Sequence, residues 1–332
     1  MVIIDIKTNE LKSVVENMEQ LNRNLATAID DGVTSLSQLD SNNCLKISMD
    51  AAVKSFFLSL YSSFGVISDK ENQEKLNAYI PVITFTMEDG FYIFYSEDFT
   101  GVDGYTYVAK TWSEKFPYYY EDEDFIYGFS LGNVISLYDK NGLLSGAERS
   151  VFKLDYHDIQ TKSEYASFRN LRPESILLND ESFELVRKGT IISCIEVSMA
   201  YYTSHHNKIA QRYGITYNFS LPVIRDDEWA PFLDDISMFV VFQGYPYGNE
   251  ASETYNRFLS AGAKVSKNKV YYIEQKDWYY IYHRSDCPEL RQEGIIFDDT
   301  PYYTIKDCVE KGAYACEHCC KNRKHVYAPD IS

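Results

Sequence analysis

The stretch "PVITFTMEDGFYIFYSE", Pro81–Glu97, decides the fold class. "ITFTM" and "FYIFYS" are β-branched and aromatic, and "EDG" between them supplies turn residues ending in glycine, so the segment predicts a β-hairpin. On its N-terminal side the apolar spacing is helical, and Pro81 marks the change of period. On its C-terminal side strands dominate. The chain therefore reads as α+β, with a mixed central body of antiparallel strands and helices.

Moving outward toward the N-terminus, "SMDAAVKSFFLSLYSSFG" (Ser48–Gly65) predicts a helix. Ser48 is its N-cap, Phe56, Phe57, Leu60 and Tyr61 form its apolar face, and Gly65 stops it. "DKENQEKLNAYI" adds a shorter helical piece. The first residues hold a longer helix, "NELKSVVENMEQLNRNLATAIDDGVTSL" (Asn9–Leu36). Its apolar residues Leu11, Val14, Met18, Leu21, Leu25 and Ala28 alternate steps of three and four and so share one stripe, widened by Val15 and Ile29. Such a helix either packs on a body or projects as a stem. Gly32 interrupts the pattern, and "SQLDSNNCLKIS" reads as a turn region.

Toward the C-terminus, "GYTYVAKTWSEKFPYYY" and "DFIYGFSLGNVISLYDKNG" continue the strands, with Val134–Tyr138 closed by the "DKNG" turn. "EDED" (Glu121–Asp124) lacks the spaced ligands and glycine of a calcium loop and reads as a solvated turn. "NDESFELVRKGTIISCIEVSMAYYTSHHNKIAQRYG" is the longest internal helix, ended by Gly214. Its neighbouring His205 and His206 point in different directions and are read as packing residues. "ITYNFSLPVI" and "ISMFVVFQGYP" read as strands, "SETYNRFLSAGAKV" as a short helix, and "NKVYYIEQ" as a strand. The domain reading is a stem helix over 1–45, a central α+β domain over 46–268 and a small module over 269–332.

The chain has 332 residues, 29 of them tyrosine, and a formal net charge of -17. An apolar content of 45% supports a folded core. The acidic balance disfavours nucleic acid as the main ligand, because phosphate binding rests on Lys and Arg. No run reaches the ~20 apolar residues of a membrane span. "MVIIDIK" reads either as an ordinary element end or as the remnant of a longer apolar segment. Membrane attachment would therefore need a segment outside this chain.

The seven cysteines are unevenly placed. Cys44 and Cys194 stand alone and read as small buried apolar residues. Cys287, Cys308, Cys316, Cys319 and Cys320 crowd the last fifty or so positions. His283 and Cys287 form an H-x3-C pair, and after 28 intervening residues Cys316 and Cys319 form a C-x2-C pair. Zinc takes four N or S donors tetrahedrally, and two short-range pairs on separate elements supply them. "WYYIYH" should be a strand delivering His283, and "TIKDCVEKGA" a helix from Thr304 stopped by Gly312, with Cys308 buried mid-helix. The candidate ligands are thus His283, Cys287, Cys316 and Cys319. Cys320 and His318 are neighbours that could take a ligand's place, and a redox C-x-x-C is the competing reading.

The order Tyr282-His283, Cys287-Pro288, Gly312, Cys316, Cys319 resembles the small zinc module first known from the Ada methyl-phosphotriester repair protein. The resemblance covers about sixty residues. It implies one Zn2+ in a small C-terminal domain. The Ada module works on DNA through an activated cysteine, whereas the first ligand position here is His283. From Glu274 to Asp330 there are eight Lys or Arg against eleven Asp or Glu, so a DNA footprint is missing and a structural zinc is expected. More weakly, "NLATAIDDGVTSL" resembles the stem of TadE-type, pilin-like bacterial surface proteins. That resemblance implies a stem and head outside the cell or on its surface.

No G-x-S-x-G, H-E-x-x-H, catalytic carboxylate pair or Cys/His dyad appears in usable form. Asp226, Asp227 and Glu228 beside Trp229 suit a solvated turn as well as a cleft. The expected function is a non-enzymatic structural or interaction protein with protein partners or self-association. The alternatives are a zinc-containing nucleic-acid-binding protein, through "KNRKH" (Lys321–His325), and an enzyme whose site in the central domain is unrecognised.

Overall fold

The computed structural model describes residues 2–39, 45–144, 150–224, 229, 233, 235–246, 254–262, 271–284, 287, 289–290, 295–296, 302 and 305–319. The chain is mixed α+β and divides into two compact units, Met1–Val265 and Ser266–Ser332.

The first unit is built on a five-stranded antiparallel sheet. It contains β3 (Val82–Met87), β4 (Gly90–Thr100), β5 (Thr106–Trp112), β10 (Ser237–Pro246) and β11 (Thr254–Gly262). The order across it is β11-β10-β3-β4-β5. The opening stretch forms the β3–β4 hairpin, in which Met87 pairs with Gly90. β10 is the longest buried strand and joins the hairpin to the distant β11. Because successive side chains point to opposite faces, β10 feeds two cores. Phe239 and Val241 enter one, and Met238, Val240 and Phe242 enter the other.

The Met238 face is covered by two helices, α1 (Val2–Leu36) and α2 (Met49–Ser63). Leu25, Ala28, Ile29, Val33 and Leu36 of α1 are buried there with Phe56 and Leu60 of α2. Val15 and Met18, earlier on α1, are exposed. The second half of α1 is therefore part of the body. Gly32 does not break the helix. A Cβ there would stand 3.1 Å from Met238 Sδ and from Phe56 Cβ, so its missing side chain is what lets α1 approach α2 and the sheet. Beyond α1, the stretch read as a turn region (Ser37–Ser48) holds a two-strand ladder, β1 (Ser37–Leu39) with β2 (Leu45–Ile47). Ser48 caps α2 by accepting from the Ala51 N–H.

The other face packs against α6 (Asp180–Ala210) and a four-stranded meander of β6 (Tyr118–Glu121), β7 (Phe125–Phe129), β8 (Val134–Asp139) and β9 (Ser150–Asp155). Asn179 caps α6, and Gly214 closes the turn after it in the left-handed region. Phe183, Ile191, Ile195 and Met199 present its buried stripe. Three further short α-helices among the described residues are α3 (Lys70–Asn77), α4 (Tyr156–Thr161) and α5 (Ala166–Leu171).

Two sequence expectations fail here. "SETYNRFLSAGAKV" reads as helical, yet its described part is strand β11, with Tyr255 and Leu259 buried. Those two residues are spaced for a helix face, and pairing with β10, buried along its first eight residues, overrides that local preference. "ITYNFSLPVI" forms no strand. The Asn207 side chain instead receives the Phe219 N–H at 2.6 Å and donates to its carbonyl at 2.9 Å, replacing a ladder partner.

The second unit holds a four-stranded sheet of order β14-β12-β13-β15. Its strands are β12 (Tyr271–Lys276), β13 (Tyr279–Arg284), β14 (Ile295–Ile296) and β15 (Ala313–Ala315), with helix α7 (Ile305–Glu310) before the last. Its apolar cluster is small: Tyr271, Ile273, Tyr282, Cys308 and Ala313 are buried in it. Among the described residues no helix is long and apolar enough to cross a membrane.

Candidate metal centre

The β12–β13 hairpin sets the first ligand. Tyr272 faces His283 across the ladder, so Glu274, two residues along β12, is the diagonal neighbour of His283 on one face. β15 runs parallel to β13, with Tyr282 opposite Ala315. His283 and Cys316 are each the next residue on strands pointing the same way, so both leave the ladder at the same end. The Cys316 N–H donates to the Tyr282 carbonyl at 3.1 Å and fixes that exit. Gly312, at φ 79°, ends α7 in the left-handed region and turns the chain into β15.

Two turns bring the remaining thiols. The Cys287 N–H donates to the Arg284 carbonyl at 3.0 Å, folding Cys287 back toward His283. The turn at Glu317–Cys319 returns Cys319, whose sulfur receives the Arg284 N–H at 3.3 Å. The donor atoms of His283, Cys287, Cys316 and Cys319 all lie within 4.8 Å of one another. His283 Nδ1 is 3.4 Å from Cys287 Sγ, and Cys287 Sγ is 3.9 Å from Cys316 Sγ. A tetrahedral zinc with arms of about 2.3 Å to sulfur and about 2.05 Å to nitrogen has S–S edges of about 3.8 Å and N–S edges of about 3.6 Å. The two observed separations match those edges.

The surroundings fit a cation. His283, Cys287 and Cys316 are buried and Cys319 is half-buried. Burial pushes the Cys287 thiol up and the His283 imidazole down, the latter opposed by Glu274. A neutral imidazole is what a metal needs at Nδ1. Glu274 is fully buried, with Oε2 2.9 Å from His283 Nε2, yet the pair is not aligned as a hydrogen bond, and neither the Glu274 oxygens nor His283 Nε2 has such a partner among the described residues. A carboxylate left this way in an apolar setting is costly. A cation on Nδ1 would polarise the ring and strengthen Nε2–H as a donor to it. The cluster can therefore hold a metal ion.

The four residues singled out from the sequence are thus brought together. His318 stands outside the cluster, exposed, 3.8 Å from Glu289. Cys308 is buried in α7, its thiol pushed up by burial to about 11. Cys320, Pro288, Thr304, Cys44, Asp226 to Glu228 and "KNRKH" lie outside the described residues. Two of the EDED carboxylates are used internally: Asp122 accepts from the Phe125 N–H and the Tyr127 hydroxyl, and Asp124 pairs with Arg172 at 2.6 Å. Glu274 escaped the sequence reading. Its only signal was a charged residue on an aromatic strand, and its role appears only once the hairpin register is known.

Comparison with protein-family models, with curated proteins and with solved structures finds no match, so the site is read from its own geometry.

Proposed function

We propose that His283, Cys287, Cys316 and Cys319 hold one zinc ion as a structural clasp, in a protein that acts through protein partners or self-association rather than catalysis. The observation that carries this reading is the donor set. Four buried or half-buried N and S donors within 4.8 Å of one another match in number and type the shell that zinc prefers in structural sites. A catalytic zinc keeps an open position for water, and four protein donors leave none. The small apolar cluster around Ile273 gives a reason for a clasp, because units of this size need a staple.

The interaction reading rests on exposed aromatics, among them Tyr105, Tyr107, Tyr119, Tyr201 and Tyr314, and on the acidic charge. A place outside the cell or on its surface goes with it as an expectation from the sequence, tested by fractionating cells that make the full-length protein. Metal analysis of purified protein tests the clasp. One zinc per chain is expected in the wild type, and loss of it in Cys316→Ser and His283→Ala. A wild type purified with zinc supplied that carries none would refute it.

A further inference from the structure

Far along the chain from the thiol cluster, in the first unit, a cavity of about 540 Å³ lies among α3, β4, β5 and α6. Three basic residues line it, Lys110, His206 and Arg212, in a chain that is strongly acidic overall. Ser96 and Thr106 also line it, and Glu74, exposed on α3, is the carboxylate in its wall.

Lys110 sits on β5 opposite Ser96 on β4. Its ammonium donates to the Ile80 carbonyl at 2.8 Å. Among the described residues no carboxylate lies in ion-pair range of it. Burial without a counter-charge brings its pKa down to about 7. His206 is buried, and its Nε2–H donates to the Ala78 carbonyl at 2.8 Å. That bond leaves Nδ1 as an acceptor with no partner among the described residues. Arg212 is already held by Asp98 at 2.6 Å, so its charge is partly met. The group short of an opposite charge is therefore Lys110.

We propose that this cavity binds a small oxyanion, the phosphate or carboxylate group of a small molecule, with Lys110 as the principal charge. Such a group supplies the counter-charge that the fold withholds from Lys110 and accepts a charge-assisted hydrogen bond from its amine. The Ser96 hydroxyl, on the position paired with Lys110, is a neutral donor in the same lining, and Arg212 widens the positive wall. Glu74 at the wall would disfavour highly charged anions, which favours a single phosphate or carboxylate over a polyphosphate.

Calorimetric titration of the full-length protein tests the proposal, with inorganic phosphate in one arm and acetate in the other. Saturable binding in either arm is expected and identifies which oxyanion the site prefers. Lys110→Met, which keeps the stem and drops the charge, should weaken that binding by about tenfold or more. A second measurement needs no variant. Acetic anhydride labelling of the wild type, read by mass spectrometry, should show Lys110 protected by the bound anion while surface lysines such as Lys75 react unchanged. Absence of saturable binding in both arms, equal affinity in a folded Lys110→Met, or unaltered Lys110 labelling would each overturn it.

Discussion

The two units solve the same problem by different means. The first buries side chains on both faces of one sheet, from Phe56 and Leu60 on the α2 side to Phe183 and Met199 on the α6 side. The second, among its described residues, buries five in its apolar cluster and adds four metal-type donors. Apolar burial grows with the size of a unit, while a metal contributes a fixed amount from a few side chains. The contrast teaches that the tolerance of a substitution depends on which unit it falls in.

The largest effect tests the metal side. Apparent binding energies of structural zinc are on the order of 10–16 kcal/mol, so chelation should unfold the second unit and leave the first intact. Hydrogen exchange should show protection lost across β12, β13 and β15 and kept across β3, β4 and β10. Uniform loss, or none, would break the comparison.

Next in size is an apolar truncation. Phe56 is fully buried, packed edge-on against Phe57. Phe56→Ala should cost about 3–5 kcal/mol by denaturant titration of the first unit while leaving metal content unchanged.

Acid should weaken the first unit through His206. Its pKa is lowered to about 4, first by burial and then by Lys110. The unfolded chain takes up the proton near 6.5 and the folded chain does not, so stability falls as pH drops from about 6.5 to about 4 and then levels off. The loss is on the order of 3 kcal/mol in phosphate-free buffer, and His206→Gln should flatten the curve. The second unit should also weaken in acid, but for another reason: protons compete with the metal for its thiolates. Adding excess zinc should restore the second unit and leave the His206 step in place.

The smallest effect probes the residue behind a ligand. Glu274→Gln should weaken metal affinity by about 10–100-fold without abolishing binding, as read by competition with a chromophoric chelator. An unchanged affinity would leave Glu274 as a packing residue only.

What the sequence made legible was short-range. The Ser48 and Asn179 ends of α2 and α6, the Glu88–Gly90 turn and the four donor residues all rest on spacings of a few positions. What it hid depends on distant pairing. β11 carries Tyr255 and Leu259 at helical spacing and becomes a strand because β10 lies alongside. Residues 215–224 look β-like, but the Asn207 amide satisfies Phe219 instead. Glu274 and Lys110 acquire meaning only from neighbours on another strand or helix, such as His283 and His206.

The position of β10 has a consequence for the order in which the chain folds as it is made. Its alternate residues complete both cores of the first unit, yet it pairs with β3 from about 150 positions later. Neither core can close while the nascent chain is shorter than β10, so the hairpin, α1 and α6 wait with apolar faces uncovered. Synthesis at about 5–20 residues per second makes that wait last roughly 8–30 s. Cys316 and Cys319 are added after every described strand of the first unit, so the four-donor cluster can come together only once that sheet has its strands.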